Sequence, residues 1–328
     1  MRAVVVHGAG GPDVLSIEER PLPQPGYGYV RVAVRAVGVN RADVLQRLGR
    51  YPAPMGAPRD VPGLEFAGEV AAIGLGVTAW RPGDRVMGIV GGGAYAEAVV
   101  VHERVLAPVP DGMELEEAAA IPEAFITAHD GLFSRLGVGP GERVLVHGAG
   151  SGVGTAAIQL AAAAGATVFG TARSAWKLER AAAIGLAPER AIDASATDWV
   201  RAVRERTGGD GVDAILDLVG GEYLEGDVRV AADRGRILIV GLVAGSSATL
   251  DLGRVLRRRL WIGGTVLRSR PLEEKIEAVQ AFRRHVLPLL SDGRVRPVID
   301  RVVPMTEVAE AHRAIERNEP FGKIVLRW

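Results

Sequence analysis

The chain has 328 residues, long for one domain and comfortable for two. With 48% apolar and 24% charged residues its composition is globular, which excludes extensive disorder. Thirty-nine basic residues balance 39 acidic ones, a balance that does not favour nucleic acid as a partner, and the lack of any cysteine excludes disulfides, thiolate nucleophiles and thiolate metal sites.

The N-terminus enters a strand-like run, Met1–His7, without the apolar core and cleavage site of a signal peptide. No apolar run approaches the roughly 20 residues of a membrane span, so the expectation is a soluble, cytoplasmic protein with no membrane partner. Further short strands are predicted at Tyr29–Val37, Glu69–Ile73, Arg85–Ile89 and Ala94–Val101, separated by turn signals such as Arg81-Pro82-Gly83-Asp84. Helical character is confined to Asn40–Leu48 and the Ala-rich Leu115–Leu136. This first third reads as an irregular, mostly antiparallel β domain.

The pattern changes after Gly139-Pro140-Gly141-Glu142. A strand at Arg143–His147, a helix at Gly152–Ala164, a strand at Thr167–Thr171 and a helix at Ser174–Ile184 alternate. The alternation continues with a helix at Asp198–Arg206 and strands at Val212–Leu218, Arg236–Gly241 and Leu260–Val266. Apolar strands alternating with helices predict a parallel sheet covered on both faces. An amphipathic helix at Leu272–Leu290, a capped helix at Thr306–Arg317 and a strand at Lys323–Trp328 complete the chain.

The segment Val144-Leu145-Val146-His147-Gly148-Ala149-Gly150-Ser151-Gly152-Val153-Gly154 runs from a strand through a glycine-dense turn into a helix. Bare α-carbons let backbone N–H groups approach a pyrophosphate, and a helix N-terminus favours its charge. A strict GxGxxG ending at Gly154 fails, because Ala149 and Ser151 stand at its first two glycines; the surrounding β/α alternation carries the dinucleotide reading instead. Dinucleotide sites for NAD carry an acid at the end of the second strand, for the ribose 2′-hydroxyl. Here that end reads Thr171-Ala172-Arg173-Ser174, with Lys177 one turn later. Two cations and no carboxylate point to a 2′-phosphate, hence to NADPH. The six histidines, at 7, 102, 129, 147, 285 and 312, form neither HxH nor HExxH, so no metal site is predicted.

Asn40-Arg41-Ala42-Asp43 with Gly49-Arg50-Tyr51, Pro62-Gly63-Leu64-Glu65-Phe66-Ala67-Gly68, Gly83-Asp84-Arg85-Val86, Ala118-Ala119-Ala120-Ile121-Pro122-Glu123-Ala124 and the turn Ser151–Gln159 resemble the medium-chain dehydrogenase/reductase superfamily over essentially the whole chain. Within it they are similar to the zinc-free NADPH:quinone oxidoreductases of the zeta-crystallin type. Leu267-Arg268-Ser269-Arg270 and Gly322-Lys323-Ile324-Val325-Leu326 resemble the tumour-suppressor-inducible subgroup most. The implied fold is α/β: a GroES-like irregular β catalytic domain at 1–122, a doubly wound Rossmann NADPH-binding domain at 123–266, and a segment, 267–328, returning to the catalytic domain. Zinc-dependent relatives carry a Cys–His pair followed by Glu; Asn40 stands near the Cys position and Leu64 at that of the His, before Glu65.

The resemblance implies residue roles. Gly150, Ser151, Gly152, Val153 and Gly154 would cradle the pyrophosphate, with Ser151 close to the nicotinamide end, and Arg173, Ser174 and Lys177 would hold the 2′-phosphate. Asn40, Tyr51 and Thr127 would border the nicotinamide and the quinone, with Asn40, Tyr51 and Ser151 as the catalytic set. Gly241, Leu242, Leu267 and Ser269 would flank the cofactor, and Gly322-Lys323 would close over the site. Glu65 and Asp43 read as structural carboxylates. Many relatives place a Tyr after the third Rossmann strand to grip the phosphate, and Ala194 stands there. No strong general acid is evident. The implied reaction is reduction of a small-molecule quinone or related electrophile by direct hydride transfer. An enoyl or 2-alkenal double-bond reductase and an NADPH-gated RNA-binding protein stand as alternatives, and a homodimer through the sheet edge near Leu260–Leu267 is implied.

Overall fold

The computed structural model describes residues 1–328. They form two compact units: unit 1 comprises Met1–Ile126, Leu267–Gly293 and Pro297–Trp328, and unit 2 comprises Thr127–Val266 and Arg294–Arg296.

Unit 1 opens with an antiparallel pair, β1 (Arg2–Val6) and β2 (Leu15–Glu19). Then follow β3 (Tyr29–Gly38), α1 (Arg41–Arg47), β4 (Glu65–Ile73), β5 (Arg85–Ile89), β6 (Ala98–His102), β7 (Leu106–Pro108), α2 (Leu115–Ala118) and α3 (Pro122–His129), the last three residues of which, from Thr127, are counted with unit 2. In β3 the buried side chains Val30, Val32, Val34 and Ala36 alternate with less buried ones, the period of a strand with one face on a core. The predicted strand at Ala94–Val101 lies later, at Ala98–His102, because Tyr95 is tied instead by its N–H to the Pro62 carbonyl at 3.0 Å. The Ala-rich segment is not one helix. Pro122, first residue of α3, has no N–H to continue a ladder from α2, and α3 runs into a π-helical turn at Asp130–Arg135.

Unit 2 contains β8 (Arg143–His147), α4 (Gly152–Ala163), β9 (Thr167–Ala172), α5 (Ala175–Ala181), β10 (Ala191–Asp193), α6 (Trp199–Arg206), β11 (Val212–Asp217), α7 (Tyr223–Val230), β12 (Ala231–Ile239), α8 (Leu252–Arg258) and β13 (Trp261–Gly264). The six strands are all parallel, in the order β10-β9-β8-β11-β12-β13. This is the doubly wound order, and its switch point lies between β8 and β11, where loops diverge to opposite faces. Leu145, Phe169, Ile192, Ile215 and Ile237, one from each of the first five strands, share a core with Val200, Val203, Val228 and Val230 of the helices. The Asp198 carboxylate caps α6, accepting from the N–H groups of Val200 and Arg201.

The chain returns to unit 1 with α9 (Leu272–His285), α10 (Leu287–Ser291), β14 (Ile299–Pro304), α11 (Val308–Glu316) and β15 (Lys323–Arg327). The predicted helix Leu272–Leu290 is two, with Pro288 in the first turn of the second. Thr306 does not cap α11; it lies in the 3₁₀ turn Met305–Glu307 that leads into it. β15 joins the antiparallel sheet, giving the order β14-β15-β3-β4-β5-β7, with β6 also paired to β3. No helix is long and apolar enough to cross a membrane.

Candidate active site

In unit 2, β8 delivers the glycine turn to the switch point. Gly148 has φ +67°, a left-handed conformation that disfavours any side chain. A Cβ on Gly154 would run into the Gly148 carbonyl oxygen, so the turn closes only with glycine there. Ser151 is the N-cap of α4, its Oγ accepting from Gly154 N–H at 3.0 Å. The remaining N–H groups of that first turn and the dipole of a 12-residue helix make an anion site. Gly150 is buried with its bare α-carbon against the Lys177 stem.

Behind the turn, His147 is fully buried. Its Nε2 donates to Asp227 at 2.7 Å, and its Nδ1 accepts from the Thr171 hydroxyl at 2.7 Å. The ends of β8 and β9 are thereby locked to α7. Burial raises the Asp227 carboxyl to about 6, against the pull of His147. Beyond Thr171, Arg173 is exposed and Ser174 stands at the N-cap of α5. Lys177 is buried, with its ammonium 5.4 Å from the Trp176 ring centroid. No carboxylate lies between β9 and Lys177. Ala194 donates its N–H to the Ala172 carbonyl and presents no phosphate ligand. Tyr223, stacked on Trp199 at 5.4 Å, instead brings a phenol within the field of Arg173. Gly241 follows β12 so close to Leu218 that a Cβ would meet its carbonyl, and Leu242 beside it is exposed. Thr127 Oγ1 is buried without a hydrogen-bond partner. The glycine cradle, the cations and this orphaned hydroxyl fit a nicotinamide dinucleotide.

In unit 1, sheet register gathers a second cluster at the end of β3, beside the starts of β4 and β15. A Cβ on Gly38 would collide with the Glu65 carboxyl, so glycine makes room for that group. Glu65 is fully buried; its carboxylate takes the Lys323 ammonium at 2.5 Å, Asn40 Nδ2 at 2.9 Å and the Glu123 N–H at 2.8 Å. The Lys323 ammonium also donates to Asn40 Oδ1 at 2.6 Å and the Val39 carbonyl at 2.9 Å. Gly322, at φ +89°, supplies the turn before Lys323. Asn40 caps α1, and Asp43 in the first turn accepts from its N–H. Asp43 also accepts from Gly63 N–H and the Tyr95 hydroxyl. Burial pushes the Asp43 carboxyl up to about 6 despite these bonds and the charges of Lys323 and Arg268.

The Tyr51 ring lies half-buried under the Arg268 guanidinium, 4.9 Å from its centroid. Arg268 is buried and bonds the carbonyls of Tyr51 and Gly91 and the side chain of Gln46. Its neighbour Leu267 is buried and Ser269 exposed. Burial raises the Tyr51 phenol, which therefore stays protonated.

Unit 1 thus brings Asn40 and Lys323 into one network, while Ser151 serves as a helix cap in unit 2. Sequence reasoning gave no role to Arg268, Glu123, His147 or Tyr223. A buried arginine and a buried histidine carry no periodic signature, and only the register of distant strands reveals their partners. The donor set does not fit zinc. Asn40 and Leu64 replace the ligands, an ammonium already saturates Glu65, and no three His, Asp or Glu side chains are grouped so as to hold a metal ion.

The two units define a scaffold of a GroES-like β domain and a dinucleotide fold. The alcohol dehydrogenase GroES-like domain model matches residues 26–111 and the zinc-binding dehydrogenase model residues 152–284. A quinone oxidoreductase of Pseudomonas aeruginosa is 34% identical, over 97% of this chain and 96% of that one. Erythronolide synthase EryA2 of Saccharopolyspora erythraea is 41% identical over 98% of this chain, which spans only 9% of the synthase. Among solved structures, an NAD-dependent alcohol dehydrogenase superposes with TM-score 0.88 at 37% identity, both chains covered completely. A mycobacterial protein in complex with NADPH superposes at 0.88 with 30% identity, again over both whole chains. The CurK enoyl reductase superposes at 0.86 with 28% identity, covering 99% of this chain and 98% of that one. The chain belongs to the medium-chain dehydrogenase/reductase family and is quinone oxidoreductase-like.

Proposed function

We propose that the protein is an NADPH-dependent reductase of quinones that works without zinc. The observation that carries this reading is the saturated ion cluster of unit 1, where the Lys323 ammonium, Asn40 and Glu65 satisfy one another and leave no vacant Lewis-acid position. Alcohol oxidation needs such an acid to stabilise an alkoxide; an electron-poor quinone does not. In this reading unit 2 is the nucleotide-binding domain and unit 1 receives the acceptor.

The Gly150–Gly154 turn and the α4 N-terminus bind the pyrophosphate, with Ser151 holding the turn in shape. Arg173, Ser174 and Lys177 favour the 2′-phosphate, and Tyr223 supplies the phenol that Ala194 lacks. The Thr127 hydroxyl is free to bond the carboxamide, with Gly241, Leu242, Leu267 and Ser269 flanking the cofactor. The bound nicotinamide supplies a hydride. Tyr51, held by Arg268, offers an aromatic face to a flat acceptor and a phenol to its carbonyl oxygen. Asn40 and Gly322-Lys323 set the shape of the surrounding wall, and proximity supplies most of the rate.

Reduction of an enoyl or 2-alkenal double bond is the second reading, favoured by the similarity to a polyketide synthase and to the CurK enoyl reductase. Initial rates of NADPH oxidation over a quinone panel and an enal panel separate the two. The first reading expects kcat/KM for quinones to exceed that for enals; the reverse order overturns it.

A further inference from the structure

A buried polar cluster of unit 2 takes no part in the proposed hydride transfer. His147 ends β8, and Thr171 is its register partner on β9. The Thr171 hydroxyl donates to His147 Nδ1 at 2.7 Å, and the Thr171 carbonyl takes the N–H of Ala149 in the glycine turn at 2.9 Å. His147 Nε2 donates to Asp227 of α7 at 2.7 Å. The other Asp227 oxygen is buried without a partner, so the carboxylate is held by His147. All three side chains are buried.

The same imidazole supports two aromatic rings. Trp199, first residue of α6, meets it edge-on with centroids 4.7 Å apart, and Tyr223, first residue of α7, does so at 4.9 Å and 89°. Trp199 and Tyr223 stack on each other at 5.4 Å. Both keep partial access to solvent, at the C-terminal ends of the strands, where a doubly wound sheet binds its ligand. Arg173 follows Thr171 by two residues on the same rim. Burial raises the Tyr223 phenol, and the Arg173 charge works against that rise. The contacts of His147 thus lead to the end of β9 on one side and to Tyr223 on the other.

We propose that His147 is a positioning residue that sets the preference for NADPH over NADH, by fixing Tyr223 and the end of β9 where they meet the ribose 2′-phosphate. The inference deepens the NADPH reading and rests on it. His147 is fully buried and acts through its neighbours. Its ring combines a donor and an acceptor on opposite sides, spanning α7 and β9, with a flat surface for Tyr223 and Trp199. Without the Thr171 hydroxyl, Nδ1 becomes a buried acceptor with no donor, and the ring shifts to find one. Tyr223 then loses the contact that orients it. The pyrophosphate turn keeps its own bonds, from Ala149 N–H to the Thr171 carbonyl and from Gly154 N–H to Ser151. The part of the site common to both cofactors therefore stands, and the loss falls on the 2′-phosphate.

Fluorescence titration of NADPH and NADH into the wild type, Thr171→Val, Thr171→Ser, His147→Gln and Tyr223→Phe tests this, with circular dichroism to check each fold. Thr171→Val is expected to weaken NADPH by about 5- to 10-fold and NADH by less than about twofold, and Thr171→Ser to restore the ratio. His147→Gln keeps a donor for Asp227 but loses the ring, and is expected to show the same selective loss. Tyr223→Phe shows it too, and adding Thr171→Val to it brings no further loss, because the Tyr223 hydroxyl is what the ring positions. Equal weakening of both cofactors, or an unchanged ratio in Thr171→Val and His147→Gln, makes the cluster a structural brace and overturns this inference alone. Where His147→Gln does not fold, Thr171→Val decides, since valine has the shape of threonine. A wild type that binds NADH as tightly as NADPH, or binds neither, overturns the NADPH reading and the inference with it.

Discussion

At the residue scale, the account turns on how few polar groups in the unit 1 cluster are free. Lys323 and Glu65 are buried partners, and removing one strands the other's charge. Lys323→Met is expected to destabilise the protein by about 3–5 kcal/mol in urea melts; a loss below 1 kcal/mol would show that Glu65 simply takes up a proton. On the nucleotide side, a charge-assisted contact to phosphate is worth about 1.5–3 kcal/mol. Lys177→Ala is therefore expected to weaken NADPH by about tenfold or more and leave NADH nearly unchanged in calorimetric titrations. Equal losses for both would remove Lys177 from the phosphate site and reduce it to packing on Gly150. The sequence singles out Arg173, Ser174 and Lys177 because an acid is missing beside them, and the structure puts Arg173 and Lys177 after the end of β9, one exposed and one buried. Asn40 and Glu65 were visible as residues but not as partners of Lys323, since nothing local joins positions so far apart in the chain.

At the element scale, the alternation of apolar strands and helices dictates the parallel sheet, and its six-strand order follows from the ordinary handedness of crossovers. What escaped reading has physical reasons. β2 is a polar five-residue strand paired only with β1, and β14 is a partly exposed strand recruited by β15. α7 carries a glycine in its second turn, which lowers helix propensity, yet Gly226 is where the Trp199 ring packs against the helix. The glycine turn makes the sharpest forecast at this scale. Gly154→Ala drives a methyl into the Gly148 carbonyl and is expected to abolish measurable NADPH binding while unit 1 stays folded. Tight binding by that variant would mean that the turn adopts another shape around the cofactor.

At the scale of the whole molecule, β13 is an edge strand, paired only with β12, and Trp261 is exposed on it. We propose that a second copy of the chain covers this edge. Trp261→Lys is then expected to yield monomers by light scattering, and unchanged mass would place the interface elsewhere. Stability should also carry a signature of Glu123. Its folded value, about 8, lies above the ordinary 4.5, so the folded state keeps a proton that the unfolded chain has released. Stability contributed in this way is complete below pH 4.5 and lost as pH rises towards 8. Asp43 and Asp227, raised to about 6, lose most of their contribution below pH 7, and His312, lowered from 6.5 to about 3 by burial and Arg47, gains most of its own there as the unfolded imidazole gives up its proton. Between pH 7 and 8.5 the wild type is therefore expected to lose more stability than Glu123→Gln, as read from urea midpoints.

The central claim, zinc-free hydride transfer from NADPH to a quinone, is tested most directly by anaerobic stopped-flow NADPH oxidation with a quinone, on protein treated with a chelator and assayed for metal in the same preparation. The account predicts full turnover at a zinc content far below one per chain. Activity that disappears with the metal and returns when zinc is restored would contradict it.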